Sequence, residues 1–311
     1  MAAADSNSDL EPVVETQISS KTSVEMPFLD HLEELRWRIL KSLAAVFVGS
    51  IFCFVFSDNL MKILTYPYED AVHSMLTDDN SGPVDAIQEF LMRYRDAELS
   101  SIFTTPSLRE TDVAIPPNRQ LQSLRPMTYF FVTLQVAILG GVFLALPIVF
   151  HHFWRFVAPG LLVQERHLFL PVIGLSVGCF SFGSLIAYYI VLPLGLRFFL
   201  GLEPQDMTSQ WAVDEYISFV LRLLLGFGLV FELPVISLLL AKLGVITPKL
   251  MRKFRRYAIV AIFMVAAIFT PPDPISQFLM ALPLLGLYEI SIWVAKLGSR
   301  SRSHNEADAR A

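Results

Sequence analysis

Several runs of about 20 residues contain almost no charged side chains, and no other feature restricts the fold of this chain as strongly. A helix needs roughly 20 consecutive apolar residues to cross the hydrocarbon core of a bilayer. Of the 311 residues, 54% are hydrophobic and only 17% are charged, whereas a typical soluble domain has about 25% charged residues. The sequence therefore predicts an all-α, polytopic membrane protein.

Six runs are candidate transmembrane helices: 37–56, 128–150, 168–192, 216–241, 257–270 and 275–295. The last two are short, and the fifth ends before Pro271, which is early for a complete crossing. The fifth run can cross where the bilayer is thinned, and a re-entrant hairpin of the last two runs is the alternative. Prolines within the runs predict kinked helices that form a concave scaffold.

Basic residues indicate the orientation of the chain. They cluster before the first run, between the second and third, between the fourth and fifth, and after the sixth. Because basic residues are enriched in cytoplasmic loops, both termini are predicted to be cytoplasmic. The gap 57–127 also carries arginines, but long loops cross largely regardless of charge. It is therefore interpreted as an enlarged first periplasmic loop.

Composition divides the chain into three parts. Residues 1–25 are polar and acidic and lack the apolar core of a signal peptide, so they are predicted to form a disordered cytoplasmic tail. Residues 26–297 hold the six-helix membrane domain. Residues 298–311 are predicted to form a polar cytoplasmic tail.

The sequence predicts no metal, no cofactor and no catalytic centre. Cys53 and Cys179 lack a C-x-x-C partner, and the adjacent His151 and His152 point to different faces of a helix. A basic face with interspersed aromatic residues is also missing, so nucleic-acid binding is not predicted. The chain is interpreted as a protein that is not an enzyme.

The segment before the first run places carboxylates at the membrane surface. On a helix, His31, Glu34 and Leu35 share one face, and Glu34 can form an ion pair with Arg38 at i, i+4. A solvated amphipathic entry helix explains this pattern. The alternative is a carboxylate positioned to receive a cationic ligand.

The gap between the second and third runs holds a second cluster. Trp154 and Phe156 are expected to anchor it at the interface, and Pro159-Gly160 predicts a turn. Glu165 begins the next helix, where the helix dipole favours a carboxylate. The pattern leaves open whether Glu165 only caps that helix or also binds a ligand.

Two further acidic residues lie in or between later runs. Glu232 is deep in the fourth run, where an ionisable side chain is costly and a functional role is the default. It is expected to be protonated or hydrogen-bonded to polar groups such as Gln135, and a neutral structural hydrogen bond is the alternative. Asp273, in a proline-rich turn, is predicted to cap the sixth run.

These clusters, in this order, resemble the TatC family, the largest subunit of the twin-arginine protein translocase, over about residues 26–297. The motifs that carry the resemblance are His31-Leu32-x-Glu34-Leu35-Arg36-x-Arg38, Phe156-x-Ala158-Pro159-Gly160-Leu161 with Glu165-Arg166, Phe231-Glu232-x-Pro234 and Thr270-Pro271-Pro272-Asp273.

The resemblance implies a receptor in the cell inner membrane. Members bind the twin-arginine signal peptides of folded cargo, work with single-span TatA-type and TatB-type subunits, and use the proton-motive force. A homo-oligomer in the receptor complex is also implied, with the lipid bilayer as its surroundings.

The same resemblance implies that Glu34 and Glu165 receive the arginine pair of the signal. A carboxylate binds a guanidinium group through two parallel hydrogen bonds, which lysine cannot form. The other residues implied to belong to this site are His31, Leu35, Arg36 and Arg166. Functionally sensitive positions implied elsewhere are Pro67, Gln135, Phe156, Pro159, Glu232 and Asp273.

The chain departs from the family pattern at two places. His167 stands where a second basic residue is expected after Arg166, and the first periplasmic loop is longer than usual. That loop is expected to cap the periplasmic face or to contact an accessory partner. The competing hypotheses are a proton-coupled transporter of a small solute, with Glu232 as the proton site but without an internal repeat, and an intramembrane enzyme, which would need a catalytic pair.

Overall fold

The computed structural model describes residues 28–77, 120–157, 169–202, 211–242, 244–269 and 274–308, and within these ranges the prediction of an all-α fold is confirmed. The helices are α1 (Phe28–Val55), α2 (Ser57–Thr77), α3 (Thr128–Val157), α4 (Phe169–Ile186), α5 (Leu192–Gly201), α6 (Val213–Val230), α7 (Leu233–Lys242), α8 (Pro248–Phe269) and α9 (Pro274–Asp308). A π-helical turn, Ala187–Val191, joins α4 to α5.

Five helical stretches among the described residues are long and apolar enough to cross a membrane. They are Leu32–Val55, Thr128–Phe156, Leu170–Gly201, Val213–Lys242 and Met280–Gly298. Each overlaps one of the six predicted runs. Helix α8, which contains residues 257–269 of the fifth run, is not among them because five of its first nine residues are basic.

The third stretch continues well beyond the predicted end at residue 192. The reason is the π-helical turn directly before Pro193, which carries the chain from α4 into α5 without a break. Local π-helical adjustments let a membrane helix tolerate the missing backbone N–H of a proline. A proline that suggested the end of a helix therefore lies inside a continuous one.

Small residues bring α1 and α3 into close contact. A Cβ atom built on Gly141 would lie 2.5 Å from the backbone nitrogen of Ser50 and 2.7 Å from its Cα, and one on Gly49 would lie 2.9 Å from the Gly141 carbonyl oxygen. Glycines of this kind let the backbones of two membrane helices approach each other, and packing of this type drives helix association in lipid.

Glycines and phenylalanines also interlock across α4 and α6. The Phe180 ring of α4 fills the space above Gly228, where a Cβ would lie 2.7 Å from the tip of the ring. In return, Phe231 fills the space above Gly183 of α4. The Phe180 ring also meets Phe143 of α3 edge to face, with centroids 5.5 Å apart, so one aromatic cluster links α3, α4 and α6.

Helix α2 docks on α5 and on the start of α6. Its buried side chains recur at helical spacing and are Leu64, Tyr68, Ala71 and Val72. The Tyr68 ring lies 5.4 Å from that of Tyr216 and 5.9 Å from that of Trp211, centroid to centroid. The region 57–127 was interpreted as a loop, and its first 21 residues form this helix.

The ion pair between α2 and α5 joins a buried arginine to a more exposed carboxylate. Arg197 has a side chain that is only 4% exposed, and its guanidinium nitrogen lies 3.6 Å from Asp70. Burying a guanidinium requires a partner, and Asp70 is a partner on the docked helix. Farther along the same region, Ile87, Leu91 and Tyr94 recur at helical spacing and predict an amphipathic helix at 84–99, which lies outside the described residues.

Side chains tie α7, α8 and α9 together. Ser237 of α7 donates a hydrogen bond to the Ser291 carbonyl at 3.1 Å. Gln277 and Tyr288 of α9 donate to carbonyls of α8 at 2.9 Å each, and Arg255 forms an exposed ion pair with Glu289 at 2.7 Å. Helix α9 therefore packs between α7 and α8.

Candidate functional site

Glu34 lies near the start of α1 with only part of its bonding capacity used. Its Oε1 forms an ion pair with Arg38, one helical turn further on, which confirms the pairing expected from the spacing. Its Oε2 is buried and has no hydrogen bond to any described residue, and the same is true of Arg38 Nε. A carboxylate accepts up to four hydrogen bonds, so Glu34 can accept a further cationic donor.

The pairing of α1 with α3 brings Phe156 to the level of Glu34. The two helices run antiparallel, with Gly49 opposite Gly141. Arg38, eleven residues before Gly49 on α1, lies within electrostatic range of His152, eleven residues after Gly141 on α3. Glu34 and Phe156 are four residues beyond these two, so they lie at the same level. Helix α3 ends one residue later.

The remaining residues of the predicted signal-peptide site are placed unequally. Leu35 is half-buried and Arg36 is exposed on the first turns of α1, whereas the His31 side chain lies outside the described part. Pro159, Glu165 and Arg166 fall in the segment 158–168, which also lies outside the described residues, as does Asp273. That Glu34 and Glu165 act together stays a prediction.

Glu232 lies in the break between α6 and α7 and is 5% exposed. Neither carboxyl oxygen makes a hydrogen bond within the described ranges. The Ser176 hydroxyl faces the carboxyl group without reaching hydrogen-bond geometry, and it accepts a hydrogen bond from Trp154 Nε1 at 2.8 Å. A polar cluster of Trp154, Ser176 and Glu232 therefore crosses from α3 through α4 to the α6–α7 break.

Gln135 is not part of that cluster. Its Oε1 accepts a hydrogen bond from Ser218 at 3.4 Å, and it lines a cavity between α3 and α6. Ser218 precedes Glu232 by 14 residues, which is about 20 Å along a helix axis. The structure thus separates Gln135 from Glu232, which sequence analysis had considered as hydrogen-bond partners.

Pro67 is buried within α2 and changes the hydrogen bonding of that helix. Because proline has no N–H, the Ile63 carbonyl four residues earlier has no helical donor. The Tyr188 hydroxyl donates to this carbonyl at 2.6 Å, and the Tyr216 hydroxyl donates to the next carbonyl, Leu64, at 2.8 Å. Pro67 therefore leaves the Ile63 carbonyl available to Tyr188, and this hydrogen bond helps to hold α2 against the neighbouring helices.

We expect Tyr188→Phe to lower the free energy of unfolding by about 1 kcal/mol, the usual net value of one hydrogen bond. In a Pro67→Ala background, the new N–H of residue 67 can satisfy the Ile63 carbonyl, so the cost of Tyr188→Phe should shrink. Thermal unfolding of the four proteins of this double-mutant cycle measures the coupling. Equal costs in both backgrounds would show that Tyr188 acts independently of Pro67.

The sequence patterns did not single out Tyr188, Tyr216 or Arg222. The two tyrosines lie in apolar runs and carry no charge, although the missing N–H of Pro67 signals that a donor is required nearby. Arg222 lies in the fourth run, where any charged residue indicates a candidate functional site. In the structure it lines the same cavity as Gln135.

Comparisons with known proteins agree with this architecture. The family model described as Sec-independent protein translocase protein (TatC) matches residues 30–283. The TatC protein of Aquifex aeolicus is 36% identical over 279 residues, which cover 89% of this chain and 98% of that protein. The TatC protein of Desulforapulum autotrophicum is 35% identical over 290 residues, which cover 93% and 92%.

A solved structure is similar along nearly its whole length. The crystal structure of the twin-arginine translocase receptor TatC matches with a TM-score of 0.65 and 36% sequence identity, over 86% of this chain and 99% of that one. These proteins are translocase components, so the comparisons do not support a transporter of small solutes. The chain is a multi-pass membrane protein with a role in Sec-independent protein translocation, and it belongs to the TatC family.

Proposed function

We propose that this protein is the signal-peptide receptor of a twin-arginine translocase and that Glu34 and Glu165 bind the arginine pair. The observation that carries the proposal is the buried Oε2 of Glu34, which accepts no hydrogen bond from any residue that the structure describes. It lies at the level where α3 ends, and the segment that contains Glu165 follows directly. The twin-arginine translocase receptor of known structure has the same fold.

The energetics favour displacement of Arg38 by a peptide arginine. An i, i+4 ion pair at a partly exposed site contributes only about 0.3–0.5 kcal/mol, and Arg38 contacts only Oε1 of Glu34. A peptide guanidinium that faces the carboxylate can donate two parallel hydrogen bonds, one to each oxygen. Glu34 can therefore exchange its contact with Arg38 for a stronger one, or accept the peptide on Oε2 while the contact persists.

We divide the other predicted residues into two groups. We assign His31, Leu35, Arg36 and Arg166 to the same cytoplasmic surface, with Phe156 and Pro159 shaping the end of α3. Pro67, Gln135, Glu232 and Asp273 remain proposed as sensitive positions away from the arginine site. For Glu232, we favour contact with a partner helix or local thinning of the bilayer.

We further propose six crossings with both termini in the cytoplasm of a cell whose inner membrane holds the complex. The apolar part of α8, Tyr257–Phe269, spans about 20 Å as a helix, less than the roughly 30 Å of a hydrocarbon core. Basic residues at the start of α8 support a cytoplasmic end there, and local thinning would complete the crossing.

The proposed division of the chain follows from this topology. Residues 26–297 form the membrane domain, 57–127 lie on the periplasmic side, and 1–25 and 298–311 are cytoplasmic tails. TatA-type and TatB-type subunits, other copies of this chain and the proton-motive force complete the proposed export machine. The protein itself carries out no catalysis.

Crosslinking of a twin-arginine peptide to the full-length protein in membranes tests the arginine site. We expect Glu34→Ala and Glu165→Ala each to reduce crosslinking by about tenfold or more, because each loses charge-assisted hydrogen bonds. A peptide with a lysine pair should bind more weakly than the arginine peptide to the wild type.

Glu33→Ala is the matched control because Glu33 is an exposed carboxylate on the same helical turn. Its crosslinking should equal that of the wild type. Wild-type crosslinking in both Glu34→Ala and Glu165→Ala would refute the proposed site.

A further inference from the structure

A cavity of about 550 Å³ lies at the opposite end of the helices from Glu34. It is formed where α3 begins, α6 begins and α8 ends, whereas Glu34 lies level with the end of α3. Its charged lining residues are Arg125, Asp214, Glu215 and Arg222, and the polar ones include Gln135 and Ser218. The phenyl rings of Phe131, Phe219 and Phe269 form apolar parts of the wall.

Arg222 lies deeper in this cavity than its other charged residues. Arg125 precedes the first residue of α3 by three positions, and Asp214 and Glu215 belong to the first turn of α6. Arg222 lies eight residues beyond Asp214, which is about 12 Å deeper along the helix axis. The Cα–Cβ bond of Arg222, like that of any helical residue, is tilted toward the helix N-terminus, and its side chain lines the same cavity as the carboxylates. Arg222 forms no ion pair with any residue that the structure describes.

An arginine inside a membrane span needs an anion or water as its partner. Guanidinium groups bind phosphate through two parallel hydrogen bonds. Asp214 and Glu215, nearer the surface, suit a group that is positively charged and donates hydrogen bonds. In a phospholipid with an ethanolamine head group, the phosphate lies on the acyl-chain side and the ammonium on the water side, which is the same order of depth.

We propose that this cavity binds the head group of a zwitterionic phospholipid with a primary ammonium, from the leaflet on this side of the membrane. Arg222 binds the phosphate, Asp214 and Glu215 accept hydrogen bonds from the ammonium, and the phenyl rings pack against the glycerol and the first acyl carbons. This site is independent of the arginine-binding function proposed for Glu34.

The same geometry disfavours two related lipids. A phosphatidylglycerol head group brings no cation, so Asp214 and Glu215 would gain no donor from it and would keep only Arg125 as a counter-charge at the mouth of the cavity. A choline head group is cationic, but its quaternary ammonium has no N–H to donate. We therefore expect a preference for ethanolamine over choline and over glycerol head groups.

Lipid retention by the purified full-length protein tests the proposal. The protein is exchanged into detergent with equal amounts of the three lipids, and the bound lipids are counted by native mass spectrometry. We expect the wild type to retain the ethanolamine lipid preferentially and Arg222→Gln to retain about tenfold less of it. Arg252→Gln, at the far end of α8, is the control and should retain it normally.

A second variant keeps the test decisive if Arg222→Gln does not fold. Asp214→Ala with Glu215→Ala removes the hydrogen-bond acceptors of the ammonium but preserves the phosphate contact, so it should reduce the ethanolamine-to-choline ratio to near one. The proposal is overturned if neither variant changes lipid retention, or if the wild type shows no head-group preference. Displacement of the lipid by millimolar inorganic phosphate, or by a twin-arginine peptide, would also overturn it.

Discussion

Replacing Gly141 with leucine is expected to prevent the protein from accumulating in the membrane as a folded molecule. The new Cβ would lie 2.5 Å from the backbone nitrogen of Ser50 and 2.7 Å from its Cα. These are main-chain atoms of α1, so no side-chain rotation can relieve the overlap. Separating α1 from α3 would be the only relief, and the close packing that holds them would be lost.

The size-exclusion profile and the thermal stability of the solubilised protein measure this effect. Gly178→Leu is the matched control, since a Cβ at Gly178 meets nothing within 4 Å. It introduces the same residue into a membrane helix and should give a folded protein. A folded Gly141→Leu variant with wild-type stability would mean that α1 and α3 tolerate a wider separation.

Replacing Tyr216 with alanine is expected to release α2 from the rest of the protein. Tyr216 is 1% exposed, donates a hydrogen bond to Leu64 at 2.8 Å and packs its ring against Tyr68. Removal of a buried aromatic side chain typically costs about 3–5 kcal/mol. Most of that loss should fall on the docking of α2, because Tyr216 contacts it through both its ring and its hydroxyl.

Cysteine labelling reports the release directly. In a background with Cys53→Ser and Cys179→Ser, the fully buried Val72 is changed to cysteine, and its rate of reaction with a water-soluble maleimide is measured. The Tyr216→Ala variant should react about 100-fold faster, as expected for a local opening that is about 3 kcal/mol easier. Tyr257→Ala, an exposed tyrosine on α8, should leave the rate unchanged. Equal rates in all three proteins would contradict the assigned docking role.

The helices were predictable from the sequence where the bilayer alone sets their length. Long uncharged runs predicted all five membrane-length stretches of the described residues, because a hydrocarbon core imposes a minimum length. The limits of α8 were harder to predict, since its basic first half and short apolar half give conflicting signals. Helix α2 was missed because Pro67 interrupts its pattern, and only the tertiary contacts with α5 and α6 explain why a proline is accepted there.

The site was predictable only where its residues are close in sequence. The Glu34–Arg38 pair follows from the i, i+4 spacing alone. By contrast, Gln135 and Glu232 lie on different helices, and their relative height depends on how α3 and α6 pack. No hydropathy pattern contains that information, so the 20 Å between them along α6 could not be foreseen.

The contact between Gly49 and Gly141 also affects how accurately the carboxylate of Glu34 is positioned. Glu34 lies 15 residues from Gly49 on a continuous helix, which is a lever arm of about 22 Å. Tilting α1 by only about 5° around that glycine contact would carry residue 34 through about 2 Å, most of the length of a hydrogen bond. Two residues without side chains thus set the tolerance of the proposed arginine site, although they lie more than about 20 Å from it.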